Sequence, residues 1–170
     1  GDLCWAGDNF TVSFGAHSGE LVQDGGSHTW RLRDDDGTRF EHLFNGFGNG
    51  DDNNEVWKAT TPDGTQYFFG RNKANASSAP THSARSVPVF GNHPGEPCYN
   101  ATYANGWCQQ AWQWNLDYVL DTKGGSTTLY YGVEINNYGR NNNQEEYPGP
   151  QEDDGGGASD SLRRQREGRP

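Results

Sequence analysis

The chain has 170 residues, room for one domain or part of a larger one, and only 31% of them are hydrophobic. Its 24 glycines make it rich in turns, and aromatics at 13% supply the bulk that aliphatic residues lack. A formal charge of −10 speaks against nucleic acid and anionic membranes as partners, since both demand clustered Lys and Arg. Arg163, Arg164, Arg166 and Arg169 sit together near the end of the chain but are offset by nearby acids. No stretch reaches the apolar length needed to span a bilayer, so no membrane insertion is expected. No charged n-region followed by an apolar h-region opens the chain. With no methionine at all, it is expected to be a processed product or an internal fragment of a longer protein.

Short strands are predicted at Phe10–Phe14, Glu20–Gln23, Thr29–Arg33, Thr38–Leu43, Glu55–Thr60 and Gln66–Phe69. The turns between them are the strongest local signal. Asp36-Gly37 joins the run from Trp30 to the run ending at Leu43, and Asp63-Gly64 joins Val56–Thr60 to Gln66–Phe69. Asp-Gly pairs flanked by β-prone residues are the typical hairpin cue, because Gly accepts the positive φ that tight turns require. The two pairs stand 27 positions apart (63 − 36), which suggests a degenerate repeat.

Arg71 to Pro97 reads as a long connection with a short strand near Val87–Phe90, and Ala101 to Gln110 as holding a brief helical turn. Next comes the aromatic run. Trp112, Trp114, Leu116, Tyr118 and Leu120 fall on every second residue, so alternation places all five on one face of a strand. A turn at Asp121-Thr-Lys-Gly124 and a second β-prone run, Thr127 to Val133, complete a third hairpin. No apolar stripe of helical period runs long enough for a regular helix.

From Asn141 onward the composition turns polar and glycine-rich, and Leu162 is the only large aliphatic residue after Tyr147. Such a segment buries too little to offset its ordering entropy, so disorder is expected there. A truncation or a shift of reading frame would produce the same change of character. The expected organisation is a β-rich segment over residues 1–143 and a disordered polar tail over 144–170. The expected fold class is all-β: antiparallel hairpins with aromatic-faced strands.

Three phrases are more specific than the turns. They are Leu3-Cys-Trp-Ala-Gly-Asp-Asn9, Trp57-Lys-Ala-Thr-Thr-Pro-Asp-Gly-Thr-Gln-Tyr67 and Trp107-Cys-Gln-Gln-Ala-Trp-Gln-Trp-Asn-Leu-Asp-Tyr118. They resemble the region just before the repeat array of large secreted bacterial RHS/YD-repeat proteins. Asp121-x-x-Gly124 followed by Tyr130 and Tyr131 is similar to the YD repeat itself. The resemblance spans roughly Gly1 to Asn143. It implies a secreted, non-catalytic, incomplete segment of a larger β-shell, with an exposed edge when isolated, that encloses or displays a C-terminal toxin or effector. The implied partners are adjacent β-hairpins of the parent chain. After Asn143 the chain departs from that pattern: no array, no effector and no array-ending motif follow. Neither toxin activity nor a self-cleaving aspartate is therefore carried over. In such an exported chain Cys98 and Cys108 are expected to form a disulfide, leaving Cys4 as a lone thiol.

No catalytic residue, metal site or cofactor is assigned from the residues. A zinc site from His93, Cys98 and Cys108 fits no standard spacing, and His17, His28, His42 and His82 are scattered. Asp34-Asp35-Asp36 and Asp51-Asp52-Asn53-Asn54-Glu55 offer the oxygen ligands calcium takes, but neither follows the EF-hand pattern, and Asp-rich turns serve hairpins equally well. Glu20, Asp117 and Glu134 offer carboxylates for glycoside hydrolysis with nothing to set their separation. The sequons at Asn9, Asn75 and Asn100 matter only if the source is eukaryotic. Six tryptophans and eight tyrosines remain. Alternation on strands predicts a core or shell-lining face. A row of exposed ones would instead make a sugar-stacking platform, and with it an extracellular carbohydrate-binding module.

Overall fold

The computed structural model describes residues 3–5, 7–26, 28–133, 135–140, 145–150 and 160–164. Twelve strands follow in chain order: β1 Phe10–Phe14, β2 His17–Gln23, β3 Thr29–Leu32, β4 Arg39–Leu43, β5 Val56–Thr60, β6 Gln66–Phe69, β7 Ala84–Phe90, β8 Trp107–Leu120, β9 Ser126–Thr128, β10 Ile135–Arg140, β11 Glu145–Pro150 and β12 Ser161–Arg164. A single 3₁₀ turn at Tyr103–Asn105 is the only helical element among the described residues, and it falls in the predicted place. The fold is all-β, as the hairpin chemistry implied.

Strands β1 to β6 form an antiparallel meander, β8 pairs with β6, and β12 lies between β8 and β1. That last pairing closes an eight-stranded barrel. Closure satisfies the edges an open sheet would leave unpaired. The expectation of an incomplete segment with an open edge is therefore corrected for the ring, where each strand has a neighbour on both sides. The tail expectation is corrected in part. Ser161–Arg164 is a ring strand with Leu162 fully buried, and Ile135–Arg140 pairs with Glu145–Pro150. Apart from Asp160, the rest of 144–170 lies outside the described residues. The 27-residue spacing proves to be successive hairpins of one meander rather than stacked units.

The turns form as their residues dictate. At Asp35-Asp36-Gly37 the carboxylates accept from the Gly37 and Thr38 amides, and Gly37 takes φ +89°. At Asp63-Gly64 the Asp63 carboxylate accepts from Thr65 N and Thr61 Oγ1. Asp121 does the same for the Lys123 and Gly125 amides, with Gly124 at φ +86°.

Aromatic side chains fill the barrel. Trp57 and Trp114 are both fully buried, with ring centroids 6.4 Å apart. Phe10 packs edge-on to Trp57 at 4.7 Å and to Trp30 at 5.3 Å, and Phe14 meets Tyr67 at 5.0 Å and Phe69 at 5.4 Å. Burying one Trp removes about 200 Å² from water, roughly 5 kcal/mol as an upper bound. A few such rings stand in for the missing aliphatics. None of the six tryptophans is exposed, which favours the core reading of their alternation.

Strand β8 carries the largest departure from simple alternation. Its pairing with β7 skips Trp112, and its pairing with β6 skips Asp117. These are β-bulges: each extra residue shifts the inward face by one. Trp114 and Leu116 line the core together, as expected. Trp112 and Tyr118 do not join them. Trp112 is half-buried at the first bulge, and Tyr118 sits beyond the second, on the outer face against Phe68 and under the Arg71 guanidinium.

Candidate functional site

The loop between β4 and β5 is shaped by three left-handed residues, Gly48, Gly50 and Asn54. In its acidic run Asp51 and Glu55 are buried, while Asp52 faces solvent. The Asp51 carboxylate is buried and accepts from Asn53 N, Glu55 N and, across the fold, Ala111 N at 2.7 Å. Asp52 N donates to Gln109 O, so the loop is stitched to the start of β8. Burial, and next the Glu55 charge, push the Asp51 carboxyl above the usual carboxylate range. Asp35 and Asp36 are likewise committed, to Arg39 and His17 as well as to turn amides. Among the described residues no three His, Cys, Asp or Glu side chains converge as a metal site requires.

An open cleft of about 570 Å³ lies beside this loop, lined by Asp51, Asp52, Asn54, Trp107, Cys108 and Gln109 among others. Cys98 and Cys108 form the expected disulfide at its rim, and Gln110 Nε2 points at both sulfurs. That bond removes the thiolates a zinc site would need. It also fits an oxidising compartment. Cys4 is free and bridges backbone to Phe90. Among the described residues no helix is long and apolar enough to cross a membrane.

Behind the cleft sits a buried ion cluster. Arg164 on β12 gives Nη2 to both oxygens of Glu55, at 2.9 and 3.2 Å, and Nη1 to Gln110 Oε1 and Ala111 O. Its guanidinium lies 4.9 Å from the Trp5 ring centroid, 5.4 Å from Phe10 and 5.5 Å from Trp114. Asp8 Oδ1 approaches Arg164 Nε at 3.4 Å, an ion-pair distance without hydrogen-bond geometry. Burial alone would raise Glu55, but His42 and Arg164 outweigh it and hold its carboxyl below the usual range. His42 stacks flat on Trp57 at 4.3 Å, with Nε2 3.6 Å from Glu55 Oε2. That separation is slightly longer than a hydrogen bond. The Glu55 main chain also serves the fold, its carbonyl accepting from Asn49 Nδ2 and from the Trp114 indole.

A third buried carboxylate, Asp117, stands at the β8 bulge. It accepts from Asn72 N, Thr81 Oγ1 and Ser83 Oγ, each at 2.7 Å, and from Arg71 N at 3.3 Å. Burial pushes it above the usual range in spite of these donors. Its work is to hold the long 71–83 connection against β8. Glu20, by contrast, is at the surface with Arg33, so these two do not flank a common substrate position, and Glu134 lies outside the described residues.

Arg164, Glu55, His42 and the role of Asp117 went unassigned in the sequence. Two signals were present. An acid stands in the middle of the aromatic run, and Leu162-x-Arg164 keeps strand alternation inside an otherwise polar tail. No protein-family model, curated protein or solved structure matches this chain.

Proposed function

We propose that this chain is a non-catalytic structural barrel of a secreted RHS/YD-repeat-like protein. Its role is to form a rigid wall from which the parent chain's β-shell continues toward a C-terminal effector. One observation carries the reading: the residues in the family-like phrases are consumed by the architecture. Trp57 and Trp114 fill the core, Asp117 clamps the long connection, Cys108 closes the disulfide and Asp63-Gly64 makes a hairpin turn. Tyr130 and Val133, just past β9, are exposed apolar side chains against which further hairpins of the parent chain could pack.

The test is a search for ligand and turnover on the isolated chain. A structural wall unfolds cooperatively, and its tryptophan emission stays unchanged across a panel of oligosaccharides. Saturable binding, or hydrolysis of any glycan, would remove the proposal. The second reading, an extracellular carbohydrate-binding module, is favoured by the cleft, where Trp107 stands beside Asp51, Asp52 and Asn54. In that case Trp107→Ala abolishes a glycan-induced emission change.

A further inference from the structure

Seven of the eight ring strands come from one uninterrupted stretch of chain, residues 10–120. Without β12, β1 and β8 would be the two edges of a curved seven-stranded sheet, facing each other across a gap one strand wide. β12 fills the gap from 41 residues further on (161 − 120), after a sequence, Asp153-Asp-Gly-Gly-Gly-Ala-Ser159, of linker composition. It pairs on both sides at once: Leu162 stands opposite Val12 and Trp114, and Arg163 opposite Thr11 and Gln113.

The gap also reads side chains. Leu162 is fully buried between Val12 and Trp114. Two residues on, Arg164 enters a second subsite whose groups all belong to the 3–120 body: the Glu55 carboxylate, Gln110 Oε1, Ala111 O and three ring faces. Arg163, between them, is exposed. Main-chain pairing for affinity and alternate side-chain pockets for selectivity are the logic of β-strand addition. A planar guanidinium that bonds in a fork and stacks on rings is what this subsite fits, and an ammonium would satisfy only part of it.

We propose that the β1–β8 gap is a strand-acceptor groove selective for an extended Leu-x-Arg segment, filled in cis by Ser161–Arg164. The occupant is replaceable, and this goes beyond the structural role proposed above.

The test keeps the whole chain. A glycine-flanked protease site is inserted between Gly156 and Gly157, the folded protein is cleaved, and a fluorescein-labelled peptide spanning Ala158–Glu167 is added in excess. The C-terminal fragment is expected to co-elute with the barrel after cleavage, then to be replaced one-for-one by the labelled peptide, with circular dichroism unchanged. Peptides carrying Arg164→Ala or Leu162→Asp should compete at least about 30-fold more weakly, the loss typical of removing a buried anchor. Equal competition by the Arg164→Ala peptide would overturn the selectivity. Loss of the fragment with no peptide uptake, collapse of the barrel when it leaves, or no exchange at all would overturn the groove. An intact chain that runs as a dimer until peptide is added would overturn the occupancy in cis.

Discussion

Removing the Asp117 side chain tests the clamp between β8 and the 71–83 connection most directly. In Asp117→Ala four donors lose their acceptor: the amides of Arg71 and Asn72 and the hydroxyls of Thr81 and Ser83. Thr81 Oγ1 and Asn72 N already lie 3.1 and 3.3 Å from Ser83 Oγ, so both keep an acceptor there. The Arg71 amide and the Ser83 hydroxyl remain, each worth about 1–3 kcal/mol when left unpaired. Relief of the buried charge returns part of this, so the expected loss is about 2–4 kcal/mol. Against a total of about 5–15 kcal/mol for a domain, that is a large share. In urea unfolding followed by tryptophan emission, it lowers the midpoint by about 1–2 M for a slope near 2 kcal/mol/M. Asp117→Asn keeps the three short bonds on one oxygen and loses only the long contact to Arg71 N, at about 1 kcal/mol. The pH dependence has a definite sign. Burial holds the folded Asp117 pKa above its unfolded value, so the wild type gains stability as pH falls from above the folded value to the unfolded one. The Asn variant has no such gain, and the gap between the two widens on acidification. Nearby, Tyr131 is pushed up to about 12, first by burial and then by the charges of Asp117 and Asp160, so Asp117→Asn should lower its titration midpoint in ultraviolet absorbance. An Ala cost below about 1 kcal/mol, or a gap that narrows in acid, would refute the clamp.

Glu55→Gln leaves buried Arg164 with only the 3.4 Å approach of Asp8 as counter-charge and should cost about 3–5 kcal/mol in denaturant unfolding at pH 7. Because the folded Glu55 pKa lies below its unfolded value, its contribution is present above the unfolded value and is lost as pH falls through the folded one. The variant should therefore lose less on acidification than the wild type; parallel profiles would count against the assignment. Gly70→Ala drives a methyl into the Trp114 indole at Cδ1, at φ +76°, and a thermal melt should show about 3 kcal/mol or more lost. Gly124→Ala, at φ +86° with nothing within 4 Å, should cost only about 1 kcal/mol, separating backbone strain from collision. Reducing Cys98–Cys108, separated by 10 residues, should cost about 3 kcal/mol and change Trp107 emission at the cleft rim; an unaltered unfolding curve would mean the loop is held without it.

The sequence by itself determined the class of the fold and its hairpins. Phe10–Phe14 and Gln66–Phe69 have the predicted bounds, and the turns at Gly37, Gly64 and Gly124 stand where Asp and Gly placed them. Such features are local, since a positive φ and an Asp carboxylate two residues from an amide act whatever the rest of the chain does. Only the tertiary structure decided three other things. It placed bulges at Trp112 and Asp117, which broke an aromatic alternation that looked uniform. It made Asp117 and Glu55 buried anchors, although only the place of Asp117 within the aromatic run sets either apart from the acids of exposed turns. And it closed the ring with Ser161–Arg164, four residues from a polar tail whose complement, Glu55, lies 109 positions away. That segment has too little apolar area to order itself. It is held by edges and pockets that exist only once the preceding seven strands have folded.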